Sequence, residues 1–138
     1  MKFLLNLSRV ISALFVGSII NMSLIWIGGQ LIPAPAGHDL LTPIGFEKAL
    51  PFLTPMHFLF PFLAHALGTL SGAMLVCWLK PKETRKYILI VGGITLLGGI
   101  AAGFMIPAPG WFIAADLLLA YIPMAFLGEY LYRKLTKA

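Results

Sequence analysis

The stretch "HFLFPFLAHALGTLSGAMLVCWLKPKETRKYILIVGGITLLGGIAAGFMI", residues 57–106, is two hydrocarbon runs parted by a basic turn. Each run approaches the ~20 residues that a helix rising ~1.5 Å per residue needs to cross a ~30 Å hydrocarbon layer. Val10 to about Ile32 and Trp111 to Tyr132 have the same character. The sequence therefore predicts spans at about 10–32, 56–79, 87–106 and 111–132, with an outer loop over 33–55. The 138 residues are 59% hydrophobic and 11% charged, with a mean hydropathy of +0.92, too apolar for a soluble domain. The expected fold is all-α: a single polytopic four-helix transmembrane domain over residues 1–138.

A formal net charge of +5 is compatible with nucleic acid, but the placement of the basic residues argues against that partner. Lys2 and Arg9 precede the first span; Lys80, Lys82, Arg85 and Lys86 fill the turn between the second and third; Arg133, Lys134 and Lys137 follow the fourth. Only Lys48 lies at the other end. This asymmetry predicts both termini in the cytoplasm, with attraction to anionic lipid as a by-product. The aromatic residues agree. Trp26 and Trp111 fall toward the outer ends and Trp78, Tyr87, Tyr130 and Tyr132 toward the inner ends, as an interfacial belt requires; Tyr121, in mid-span, is the exception. The first apolar run is longer than a signal-peptide core, so it is expected to stay as helix 1 despite the Ala34-Pro35-Ala36 motif. Cys77 has no partner for a disulfide and reads as a small core residue.

"LIPAPAG" (31–37) closes the first span and "MIPAPG" (105–110) the third, with Ile-Pro-Ala-Pro common to both. Proline cannot continue a helix, so each motif is a stop. The following span carries an internal proline in both cases, Pro61 and Pro123, where kinks are expected. The chain can thus be read as two repeated helical hairpins, in which Asn21 corresponds to Thr95. The alternative is that two prolines simply end any outer helix. A short interfacial helix is expected around "GFEKALPFL" (45–53).

Within the second span His57, Pro61, Ala64, His65, Gly68 and Gly72 share one stripe, with Thr69 on its shoulder. Small residues permit close helix approach, so this face should pack on protein and His65 should point into the bundle. Thr95, Gly99 and Gly103 give the third span a matching surface. Asp116 lies five residues past Trp111, ~7–8 Å inward at helical rise, and an intramembrane carboxylate needs a partner or water. By the same rise its depth falls between those of His57 and His65. The candidate ligand- or proton-binding cluster is therefore His65, Asp116, Asn21 and Thr95, open to the outer side through His57 and Gln30. Its bland counterpart is a hydrogen-bond network that fixes packing, with Gly68, Gly72, Gly99 and Gly103 as the packing residues.

Catalytic arrangements fail on geometry. "GTLSG" (68–72) lacks the spacing of a serine elbow, and Ser71 and His65 point in different directions along one helix. His57 and His65, about 12 Å apart along the axis, cannot share a metal ion. His38, Asp39, Glu47 and His57 would meet only if the loop folded over the second span, so no metal or other cofactor is expected. Glu129 and Arg133, four apart, read as an ordinary interfacial ion pair.

"HFLFPFLAHALGTLSGA", "NM" at 21–22 and "PAPGWFIAADLLLAYIPMAFLG" at 107–128 resemble a group of small uncharacterised bacterial four-helix inner-membrane proteins with no known activity. The resemblance covers nearly the whole chain and implies a bacterial inner membrane, without assigning any residue a role. The leading expectation is a non-catalytic integral membrane protein whose central polar layer binds or passes a small ligand, ion or proton, in contact with the lipid bilayer and assembled as a homo-oligomer. The second is an accessory subunit of a larger membrane complex. The third is a membrane-embedded enzyme acting on a lipid or quinone, for which no nucleophile–base pair is identifiable.

Overall fold

A computed structural model describes residues 1–137, and among them every regular element is helical. The elements are α1 (Lys2–Leu31), α2 (Pro43–Ala49), two short 3-10 turns at Leu50–Phe52 and Pro55–Phe58, α3 (Leu59–Leu79), α4 (Thr84–Met105), α5 (Gly110–Leu119) and α6 (Ile122–Thr136). Four segments, Lys2–Leu31, Pro55–Leu79, Thr84–Met105 and Gly110–Thr136, are long and apolar enough to cross a membrane. The chain has the architecture of a multi-pass membrane protein built as a four-helix bundle.

α3 is the central helix, packing against α1, α4 and α6. Its small residues let the neighbours come to backbone contact. A Cβ at Gly68 would sit 2.8 Å from the Gly17 carbonyl oxygen, one at Gly17 2.6 Å from the Gly68 oxygen, and one at Gly72 2.9 Å from the Ala13 oxygen. The α1–α3 crossing thus has no room for side chains, which suits association in lipid, where close packing replaces the hydrophobic effect. On the opposite face, a Cβ at Gly128 of α6 would meet the Leu70 oxygen at 2.7 Å. Gly68 and Gly72 therefore pack as expected. Gly99 packs against a tyrosine side chain instead of a helix backbone, and Gly103 makes only an ordinary contact, 3.5 Å to Ile113.

The two ends of the bundle differ. The end carrying the chain termini and the 80–83 turn, here the basic end, is closed by a dry cluster that includes Val10, Ala73, Val76, Cys77, Ile88 and Val91. Cys77 is fully buried there. The turn itself is stapled by Lys80 Nζ to Glu83, 2.9 Å, and the ammonium holds the Glu83 carboxyl below the usual carboxylate range. At the other end, the loop end, Thr42 caps α2 by accepting from Gly45 N, and α2 realises the expected short helix.

Several boundaries depart from the sequence reading. α1 starts at Lys2, a turn and more before Val10, because nothing in Lys2–Arg9 breaks a helix. Pro61 falls in the first turn of α3, where its missing N–H would be unpaired anyway, so it does not interrupt the helix; a 3-10 turn leads the chain in. Pro123 instead interrupts its span outright: α5 ends at Leu119 and α6 starts at Ile122, with Tyr121 at the break. The two halves of the suggested repeat therefore differ at the proline meant to relate them.

Candidate functional site

Asp116, on the last two turns of α5, faces His65 of α3. Its oxygens lie 2.8 and 2.9 Å from His65 Nδ1. The hydroxyl of Tyr121 donates to the second oxygen at 3.0 Å, and the Tyr121 and His65 rings stack at 5.7 Å between centroids. The break before Pro123 makes this possible, because in a continuous helix a residue five positions on lies well off the face of Asp116. Gly99 provides the remaining room: a Cβ there would sit 2.3 Å from the Tyr121 hydroxyl oxygen. Asp116 and Tyr121 are buried, while a quarter of the His65 side chain is exposed.

The Asp116 acceptor sets the tautomer of a neutral His65 ring. A carboxylate can only accept, so in the neutral imidazole the proton sits on Nδ1 and Nε2 keeps its lone pair. Nε2 has no hydrogen-bond partner among the described residues, and it is not sealed, since the only buried unpaired side-chain polar atom is Thr69 Oγ1. A carboxylate that orients an imidazole while leaving its far nitrogen bare is a recurring arrangement at metal and acid–base sites.

Two cavities meet at this residue. The loop-end cavity, about 320 Å³, is bordered by Leu40, Leu41, Phe46 and Leu53 of the outer segment and walled mainly by aliphatic and aromatic side chains, with Asp116, His65 and His57 also in its lining. The mid-bundle cleft, about 280 Å³, runs between α1 and α4 over the floor of α3, and includes Asn21, Thr69, Thr95 and Tyr121. His65, Gly99 and Ala102 border both.

Of the residues singled out in the sequence, His65 and Asp116 are in direct contact. Asn21 and Thr95 share the cleft with His65 but bond to neither member of the pair; the Thr95 hydroxyl donates back to Val91 and Gly92 oxygens of its own helix, 3.0 Å each. His57 is turned to local work, its Nδ1 accepting from Thr54 N at 3.1 Å and lying 3.0 Å from the Thr54 hydroxyl, in a capping box. Gln30 is exposed and borders neither cavity. Asp39 accepts from Leu41 N and Thr42 in its own turn, and among the described residues no three His, Cys, Asp or Glu side chains converge.

The chain matches no family model, no curated protein and no solved structure. The reading of the site therefore rests on its geometry.

Sequence reasoning missed two groups. Tyr121 carried a signal, being the one Trp or Tyr outside the interfacial belt and two residues before a proline. The second is at the basic end. Glu129, 2% exposed, accepts from Thr84 Oγ1 at 2.5 Å and from Arg133 Nε and Nη2 at 3.1 and 2.7 Å, and pairs with Arg85 Nε at 3.1 Å. It is not an ordinary surface i,i+4 pair but a clamp tying the start of α4 to α6. Thr84 and Arg85 lie more than forty residues away in sequence, so no local pattern announces it.

Proposed function

We propose that this chain is a non-catalytic integral membrane protein whose polar centre, His65 held by Asp116 and Tyr121, binds a small ligand and exchanges a proton with it. The observation that carries the proposal is the bare Nε2 of His65 at the junction of two cavities while Nδ1 is tied to a carboxylate. A polar group kept only for packing would be paired on all sides; here one nitrogen and the Thr69 hydroxyl are not. Concave, mostly apolar cavities with a few convergent polar groups are the usual form of ligand sites.

Binding is favoured over passage. The cavities reach the loop end and the flank of the bundle, whereas the basic end is filled by the Val76–Ile88–Val91 cluster. The excess of Lys and Arg at that end places it, in this proposal, on the cytoplasmic side of a bacterial inner membrane.

Native mass spectrometry of the protein released from mild detergent tests the reading. Bound small-molecule mass is expected on the wild type and reduced on His65→Leu and Asp116→Asn. Equal small-molecule mass on all three, or none on the wild type, would overturn the proposal.

A further inference from the structure

Resting on that binding reading, we infer the class of ligand: an uncharged lipophilic alcohol, its hydroxyl in the mid-bundle cleft and its hydrocarbon body in the loop-end cavity. The head is defined by what the cleft leaves unpaired. His65 Nε2, the Thr69 hydroxyl, the Asn21 amide and the Ser18 hydroxyl all border it, and none has a side-chain hydrogen-bond partner among the described residues. Thr69 is the most telling: it is a wall residue of the cleft, 2% exposed, whose closed-off oxygen has no partner, and such groups are rarely left alone, so its side chain turns into the cleft to meet the ligand. Nε2 requires a donor; Thr69 and Asn21 can supply one and so require an acceptor. A hydroxyl meets both demands with a single oxygen.

Charge excludes the common alternatives. No Lys or Arg borders either cavity. A carboxylate or phosphate head would lie in low dielectric without a counter-charge. An ammonium head in the cleft would find no counter-charge, since Asp116 lines the loop-end cavity and not the cleft and is already paired with His65. The body is defined by the loop-end cavity, whose polar side chains are confined to His57, His65 and Asp116 among walls such as Ile25, Phe60 and Phe112. At about 320 Å³ it stands at the small end of the roughly 300–1,000 Å³ usual for ligand pockets, enough for one short chain or ring. Entry is from the side: Ser18, Met22 and Gly98 on the rim of the cleft are exposed on the flank of the bundle, where a bilayer would lie.

Thermal unfolding of the full chain in nanodiscs, with equal amounts of decanol, decane, decanoate or decyltrimethylammonium, tests the class. Decanol is expected to raise the unfolding temperature and the other three to leave it unchanged. Thr69→Val keeps the shape, removes an unpaired hydroxyl, and should fold at least as well as the wild type while binding decanol roughly three- to tenfold more weakly. If decanoate or the ammonium stabilises instead, and His65→Leu abolishes the effect, the alcohol class fails while the binding reading stands. Equal protection by decane and decanol would remove the role given to the head, and protection by none would sink the class and the binding reading together.

Discussion

Replacing Gly68 by alanine should loosen the bundle at the crossing that floors the cleft. The new Cβ would stand 2.8 Å from the Gly17 carbonyl oxygen and 3.2 Å from Asn21 Cβ. Ordinary C···O contacts between packed helices are about 3.3–3.6 Å, so α1 must retreat by about 0.5 Å or more. A retreat of that size forfeits a quarter or more of each dispersion contact along the crossing. Overpacking of this kind costs about 1–3 kcal/mol. Gly98→Ala, on the α4 wall of the same cleft but with nothing within 4 Å of its Cβ, is the control and should be neutral or stabilising by up to about 1 kcal/mol. Cys77, the single cysteine and fully buried, provides the assay, because its labelling by a thiol reagent follows opening of the bundle. Labelling of Gly68→Ala should proceed at lower denaturant than labelling of Gly98→Ala. Identical unfolding of the two would refute the backbone-contact account of the α1–α3 crossing.

Tyr121→Phe removes one of the donors to Asp116 and should destabilise by about 0.5–1.5 kcal/mol, read from the same labelling curve. Gly99→Ala should displace the Tyr121 hydroxyl from Asp116 and so reproduce the Tyr121→Phe effect without touching either residue; the two changes combined should cost less than their sum. Glu129→Gln leaves the clamp with weaker acceptors and should cost about 1–3 kcal/mol, an effect tempered because Arg85 and Arg133 are more than half exposed and can hydrate, and it should appear as earlier protease cleavage near the 80–83 turn.

The spans were legible because twenty apolar residues in lipid leave the backbone few options other than a helix, and the second run of "HFLFPFLAHALGTLSG" needed no tertiary information to be read that way. That Asp116 lies near a histidine was legible too, since rise per residue puts it between His57 and His65 in depth and an isolated carboxylate there is costly; which of the two it meets was not. Rotation about the helix axis was not legible. Asn21 and Thr95 share a layer with His65 yet face the cleft without reaching the pair, and depth alone cannot separate those cases. His57 was lost to a local cap, as Thr54 three residues earlier competes for its ring. The role of Tyr121 depends on a break two residues long that a proline permits but does not impose, as Pro61, inside an unbroken α3, demonstrates.

Nitrogen-15 NMR of histidine-labelled protein in bilayers reads the central feature most directly, because a protonated and a bare ring nitrogen resonate far apart. The contact with Asp116 predicts that neutral His65 carries its proton on Nδ1 and shows a bare Nε2, and that Asp116→Asn abolishes this preference. A wild-type ring protonated on Nε2, or one whose tautomer is indifferent to Asp116→Asn, would contradict the site at its root.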